Sequence, residues 1–370
     1  MLGLDRMQRV LPDFNPDIIL LFQDIFNIDF VLPSVKKFND KIPIVGYFPI
    51  DGSPVSRSWG NTMLGMNKLV TYTKWGIKSI KEAIPELATT NIEYLYHGVN
   101  TEIFYPLPQV AITQLRKARG WDDKFMAISN NRFQPRKFIP GTLRAWAHFT
   151  KGYKVCKCGN SYVATRPTCD LNGCAATDVI EQHGGHQDAI LYLHCNTQER
   201  MMGPGRANIL QAHMINAGFE NTDVNNTITA FAGNVYANPI SDEELNGFYN
   251  MADVNLSTAL GEGVGLSLIE ASAVGTTTIA PNNSSIPEML GETGHIIPNV
   301  AHINIAMDNG HLRPIVNTRL YVEALEKEYQ KWVANGRKRV LNEAAIDRVY
   351  KNFMWDEKRA QMLGWLKEYA

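Results

Sequence analysis

Short apolar runs recur along the chain, separated by stretches with helical spacing. In the first third, Asp17-Ile-Ile-Leu-Leu-Phe22, Ile42-Pro-Ile-Val-Gly-Tyr-Phe48, Leu69-Val-Thr-Tyr-Thr73 and Asn91-Ile-Glu-Tyr-Leu-Tyr96 read as buried strands. Helix-like segments lie between them, and the one from Gly76 to Ile84 stops at Pro85. A second series opens with Phe125-Met-Ala-Ile-Ser129 and continues through Ala189-Ile-Leu-Tyr-Leu-His194, Thr227-Ile-Thr-Ala-Phe231 and Thr276-Thr-Thr-Ile-Ala280. Its helical segments include Gln109 to Gly120, Gly141 to Phe149, a helix capped by Ser241, and Tyr321 to Lys338. Alternation of this kind predicts parallel sheets covered on both faces. Ligands of such sheets sit beyond the carboxyl ends of the strands, so chemistry is sought in the segments after each apolar run.

The richest of these segments is Ser257-Thr-Ala-Leu-Gly-Glu-Gly-Val-Gly-Leu-Ser-Leu-Ile-Glu-Ala-Ser-Ala-Val-Gly275. The helix end and strand of Phe248-Tyr-Asn-Met-Ala-Asp-Val-Asn-Leu256 precede it. It predicts a strand, a loop bearing Gly261, Gly263 and Gly265, and a short helix. A loop without side chains lets backbone N–H groups approach a ligand, and a helix N-terminus carries partial positive charge and unpaired donors. Glu262 and Glu270 bracket the turn. Ser267-x-x-Glu270 also fits a capping box with Gly275 as the stop, in which Glu270 satisfies backbone donors only.

Other strand ends carry polar groups too. Asp51 lies in Phe48-Pro-Ile-Asp-Gly52, and His97 in Tyr96-His-Gly-Val-Asn100; either also suits an ordinary turn. Asn130-Asn-Arg-Phe-Gln-Pro-Arg-Lys137 places three cations between a strand and a helix, which makes an anion cradle or a solvated basic turn.

Glu262-Gly-Val-Gly-Leu-Ser-Leu-Ile-Glu270-Ala271 resembles the paired-glutamate motif of the retaining glycosyltransferases of family 4, among the group 1 glycosyl transferases. Its flanks are similar as well: His97-Gly-Val-Asn-Thr-Glu-Ile-Phe-Tyr-Pro106, Ile240-Ser-Asp-Glu-Glu-Leu245, Asn282-Asn-Ser-Ser-Ile-Pro-Glu288 and Gly294-His-Ile-Ile-Pro298. The resemblance implies an α/β GT-B fold, with two Rossmann-like parallel-sheet domains facing a cleft. It implies a UDP- or GDP-linked sugar as donor, retention at the anomeric carbon, and no requirement for a bound divalent metal. Glu262 then faces the donor sugar, and Glu270 holds the ribose. Arg132 and Lys137 grip the diphosphate together with Gly263, Val264, Gly265 and Leu266, while Arg136 points to solvent. Asp51 and His97 join Glu262 as catalytic candidates on the acceptor side. The resemblance further implies that Phe353-Met-Trp-Asp-Glu-Lys-Arg-Ala-Gln-Met-Leu363 begins a helix crossing back to the first domain.

Two departures from the family pattern stand out. The first strand appears only at Asp17, so the first domain reads as shortened, without the family's opening strand and glycine-rich loop. The second domain is interrupted at about 153–180 by Val155-Cys-Lys-Cys-Gly-Asn160 and Pro167-Thr-Cys-Asp-Leu-Asn-Gly-Cys174. Such a polar segment has too little apolar surface for a core of its own. Cys156, Cys158, Cys169 and Cys174 therefore read as a closed structural zinc site in a small ribbon-like insertion, with His183 or His186 as substitute ligands. Cys195 reads as a buried core thiol.

At 370 residues the chain exceeds what one core normally supports. The predicted division is 1–108, 109–352 and a closing helix at 353–370, with Pro106-Leu-Pro108 as the hinge. A net charge of -1 shows no global attraction to nucleic acid or anionic lipid. No membrane-length apolar run or signal-peptide core is visible, and clustered cysteines suit a reducing compartment, so a cytoplasmic protein is expected. The acceptor stays open among small molecule, lipid, polysaccharide, protein and nucleic acid. Two other readings are a transferase acting on nucleic acid bases and a non-catalytic scaffold of the same fold.

Overall fold

The computed structural model describes residues 4–171, 174, 178–195, 209–230, 239–306 and 308–369. The amino-terminal part runs α1 (Leu4–Phe14), β1 (Ile19–Phe22), α2 (Ile25–Phe38), β2 (Ile44–Phe48), α3 (Gly60–Leu64), β3 (Lys68–Thr71), α4 (Lys74–Ala83) and β4 (Ile92–Tyr94). The four strands pair side by side in chain order, all parallel. Alternation along β2 sends Ile44 and Phe48 to one face and Val45 and Tyr47 to the other. The first face packs on α2, α3 and α4 through Ile28, Val35, Met63 and Ile80.

The rest of the chain continues through α5 (Gln109–Lys117), β5 (Phe125–Asn130), α6 (Ile139–Lys151), β6 (Tyr153–Cys156), β7 (Ser161–Val163), β8 (Val179–His183) and β9 (Ala189–His194). Next come α7 (Ile209–Ala217), β10 (Ile228–Ala230), α8 (Asp242–Met251), β11 (Val254–Leu256), α9 (Leu266–Ala273), β12 (Thr277–Pro281), α10 (Ile286–Leu290) and β13 (His295–Ile297). An antiparallel hairpin, β14 (Asn299–Asn304) and β15 (Leu312–Val316), leads into α11 (Thr318–Ala334), α12 (Glu343–Asn352) and α13 (Trp355–Lys367). Phe231, expected at the end of the β10 strand, lies outside the described residues.

The second sheet has six parallel strands in the order β10-β9-β5-β11-β12-β13. Its first strand in the chain, β5, is central: the chain winds outward through β9 and β10, then returns to wind the other way from β11. The loops after β5 and β11 therefore part to opposite faces and leave a crevice between them. One face is covered by α6, α7 and α11, which bury Trp146, Leu210 and Trp332. The other is covered by α8, α9 and α12, which bury Tyr249, Ile269 and Val349. The four-cysteine segment adds a three-stranded antiparallel sheet, β7-β6-β8.

α13 returns to the first sheet and closes its open face. Trp365 is buried among Val45, Tyr47, Val70 and Leu95, and its indole N–H donates to Glu93 at 2.7 Å. No described helix is long and apolar enough to cross a membrane. Cys195 is buried in the second core.

Candidate active site

The carboxyl ends of both sheets face one cleft. After β1, β2, β3 and β4 come Asp24, Asp51, Tyr72 and His97; after β5 come Arg132, Arg136 and Lys137, and after β11 comes Glu262. The centre of the cleft is a cluster of charges drawn from both sheets. The Lys137 ammonium donates to Glu262 Oε1. Arg136 reaches Glu262 Oε2 at 3.6 Å and Asp51 Oδ2 at 3.4 Å, and donates to the Gly261 carbonyl at 3.0 Å. Arg136 therefore does not point to solvent as expected, because two carboxylates from different sheets converge on it. Burial pushes the Lys137 ammonium below the ordinary lysine value, while Glu262 beside it acts in the opposite sense. Burial alone would raise the Asp51 carboxyl, but Arg136 and Arg313 hold it below its usual range.

Hydrogen bonds fix Glu262 from behind. Its N–H donates to Ser284 Oγ at 2.8 Å, and Ser285 Oγ donates to its carbonyl at 2.7 Å. The glycines around it have distinct duties. A Cβ at Gly261 would overlap the Asp51 carbonyl oxygen and the Arg313 guanidinium, and one at Gly263 would lie 2.7 Å from Pro49. These two glycines let the loop press against the first sheet. Gly265 takes φ +79° and begins α9. The N–H groups from Gly263 to Leu266 have no protein acceptor among the described residues, so they stand as open donors at a helix N-terminus.

The capping-box alternative for Glu270 does not hold: Gly265, in a left-handed conformation, occupies the cap position, and Ser267 is inside the helix. Glu270 Oε2 instead accepts from the Tyr249 hydroxyl at 2.9 Å, which accepts from Asn130 Nδ2 at 2.8 Å. Burial raises the Glu270 carboxyl to about 7. No cation pairs with it among the described residues.

Sequence reasoning missed the hairpin that roofs the cleft. The Leu312 N–H donates to the Ser53 carbonyl at 2.8 Å. Arg313, buried, binds Asp308 at 2.6 and 2.9 Å and Asp51 Oδ1 at 3.2 Å, and also donates to the Asp51 carbonyl. His311 Nδ1 accepts from Arg313 at 3.0 Å, and burial lowers its pKa. Under this roof lies a chamber of about 590 Å³ whose walls include Asp24, Asp51, Trp59, Arg132, Arg136 and Arg313. Burial raises the Asp24 carboxyl, and the charge of Asp51 adds to the effect.

His97 does not join the charge cluster. Its ring packs against Tyr72 at 4.3 Å, Tyr47 at 5.5 Å, Phe22 at 5.7 Å and Trp355 at 5.9 Å. Burial lowers its pKa to about 4, so it is neutral at physiological pH. Tyr72 stands between it and the Gly263 loop.

The four cysteine sulfurs of Cys156, Cys158, Cys169 and Cys174 lie within 4.8 Å of one another. The pairs 156–174 and 158–169 are 3.8 and 3.7 Å apart. Four sulfurs at about 2.3 Å from a tetrahedral zinc are about 3.8 Å apart, so the donor set and spacing fit that ion. The histidines offered as substitutes are engaged elsewhere: His183 stacks on Tyr153, and His186 bonds Glu326 at 2.6 Å.

Residues 194–309 match the family described as Glycosyl transferases group 1. No curated protein matches the sequence. Among solved structures, the chain is similar to α,α-trehalose 6-phosphate synthase from Burkholderia multivorans, with TM-score 0.67, 12% identity and 99% of this chain covered against 75% of that one. It is similar to Anabaena HepE in complex with UDP-glucose, with TM-score 0.64, 12% identity and coverage of 100% and 84%. It also resembles sucrose-phosphate synthase from Thermosynechococcus elongatus, with TM-score 0.63, 17% identity and coverage of 99% and 76%. The fold is therefore GT-B-like.

Proposed function

We propose that the chain is a glycosyltransferase that moves a sugar from a nucleotide-diphosphate donor to an acceptor hydroxyl, with retention at the anomeric carbon. One observation carries the reading: the Glu262–Lys137–Arg136 cluster, with the open amides of Gly263 to Leu266, sits at the switch point of the second sheet. That is where a doubly wound sheet binds its ligand, and the group 1 match covers the Glu262 and Glu270 half of the site. The UDP-glucose complex of Anabaena HepE makes UDP-linked sugars the first donors to try.

In this reading the diphosphate lies over the α9 N-terminus. Lys137 and Arg132 stabilise the charge that grows on it as the bond from its oxygen to the anomeric carbon breaks. Donors fixed in place before reaction contribute about 3 kcal/mol each when they face developing charge. Glu270 accepts from the ribose hydroxyls, and Glu262, held by Arg136 and Lys137, orients the donor sugar. The acceptor oxygen bonds to the anomeric carbon from the side the diphosphate leaves, and its proton passes to the departing phosphate oxygen. Asp51, kept ionised, accepts from an acceptor hydroxyl. His97 supports Tyr72 at the cleft wall rather than shuttling a proton. The four cysteines hold a structural zinc, since four thiolates leave no position open for substrate.

The test is binding and hydrolysis of a panel of UDP- and GDP-linked sugars by the wild type, Glu270→Ala and Lys137→Ala, with circular dichroism confirming the fold of each. One donor should bind and be hydrolysed by the wild type and be lost in both variants. Failure of every donor, or equal binding by folded variants, would overturn the proposal.

A further inference from the structure

The charged chamber has an apolar neighbour. A second cavity, about 300 Å³, is walled by Phe133, Phe138, Leu260, Ile303 and Ile305, among others, and shares Gln134, Pro135 and Ile305 with the chamber. The hairpin joins the two. Ile303 pairs across the ladder with Arg313, so both side chains leave the same face of the hairpin. Arg313 goes to Asp51 in the chamber, and Ile303 goes to the apolar cavity.

The nucleotide sugar does not account for this cavity. Glu270 and Tyr249 belong to the face of the second sheet covered by α8, α9 and α12. The apolar cavity is built from the start of α6 and from His213 of α7, on the opposite face. Among the described residues His213 is its one titratable wall residue; burial lowers its pKa, and its ring packs 6.2 Å from Phe133. The cavity thus suits an uncharged apolar group. Since a cavity of about 150 Å³ holds a benzene ring, one of this size takes about two fused rings or an eight-carbon chain.

We propose that the acceptor is amphipathic: a polyhydroxylated head in the charged chamber and an uncharged aryl or alkyl group in the adjoining apolar cavity. The chamber suits such a head, because carboxylates and guanidinium groups of both signs surround Trp59 and offer acceptors and donors to hydroxyls. This inference rests on the glycosyltransferase reading for the word acceptor, but the cavity itself can be tested separately.

The experiment measures calorimetric affinities of alkyl β-D-glucopyranosides, from methyl to octyl and below micellar concentrations, with UDP-glucose binding measured alongside. Each methylene taken up should tighten binding about fourfold in the wild type. Ile303→Asp should flatten that dependence, Ile303→Leu should retain it, and UDP-glucose should bind all three proteins alike. An affinity independent of chain length, or an equal slope in Ile303→Asp, would overturn the inference. A chain-length slope in a protein that binds no donor of the UDP- and GDP-sugar panel would sink the transferase reading and leave an apolar binding cavity standing.

Discussion

Glu270→Gln separates a ribose acceptor from a structural carboxylate by way of pH. The Glu270 carboxyl is raised from 4.5 to about 7 by burial, and its one hydrogen-bond donor among the described residues is the Tyr249 hydroxyl. A carboxyl raised in the folded state binds more protons than in the unfolded chain between those values. The free protein should therefore lose stability as pH rises from about 4.5 through 7 and change little above it. A tenfold change in proton affinity is worth about 1.4 kcal/mol, so the loss should approach about 3 kcal/mol. Ribose hydroxyls donating to Glu270 favour its ionised form, so binding a nucleotide sugar releases a proton below pH 7. UDP-glucose, which does not itself titrate there, should bind about tenfold more weakly at pH 6 than at pH 8. In Glu270→Gln both dependences should vanish, and the variant should be the more stable protein at pH 8. Urea melts and calorimetry from pH 5 to 8 provide the two readings. Equal UDP-glucose affinity at pH 6 and 8 in the wild type, or an unchanged pH slope in Glu270→Gln, would refute the argument.

Other perturbations give equally direct readings. Lys137→Ala removes the nearer of the two cations that hold buried Glu262 and should cost about 3 kcal/mol in urea melts, whereas Glu262→Gln, which leaves a neutral amide, should cost less and still reduce donor hydrolysis about 100-fold. Arg313→Met leaves Asp51 and Asp308 without their shared cation; it should cost about 3 kcal/mol and speed hydrogen exchange across residues 299–316. Mass spectrometry under native conditions should find one zinc per chain, and Cys158→Ser should abolish that stoichiometry while leaving UDP-glucose binding in place.

How far the sequence discloses this molecule depends on which interactions each segment uses. The strands of both sheets are legible because buried parallel strands need unbroken apolar runs, as in Phe125–Ile128 and Ala189–Leu193. The four thiols are legible because four of the five cysteines crowd into residues 156–174, although the segment also leans on the second core through Tyr153, Val155 and Val163. Arg136 is misread because a cation beside a proline looks solvated until Asp51 and Glu262, far apart in sequence, converge on it. The hairpin is invisible for a related reason. Asn299-Val-Ala-His-Ile-Asn304 lies mostly exposed, and its partner contributes Arg313, whose burial depends on Asp308 and on a strand end 262 positions away.

The same distinction changes what the central motif means. Read locally, Gly261, Gly263 and Gly265 clear a path for a ligand. In the folded chain the first two clear a path for the other sheet, because a side chain at either would collide with Asp51, Arg313 or Pro49. The loop that carries Glu262 is thereby pressed against the segment that carries Asp51, and two carboxylates from different sheets come to share Arg136. A second fastening lies nearby: Glu288, in α10, accepts from the Lys74 and Trp75 N–H groups at the start of α4 and from the Tyr96 hydroxyl, at 2.6 to 2.8 Å. These contacts are polar and sit at strand ends and helix termini rather than in either core. They fix the relative placement of the charges in the cleft without merging the two hydrophobic cores into one. In the proposed function, a donor that draws Lys137 toward its diphosphate loosens Lys137 from Glu262 and leaves Arg136 as the cation between Glu262 and Asp51. On that reading, donor binding is coupled to the seal between the sheets through Arg136 and the carboxylate it shares with Lys137.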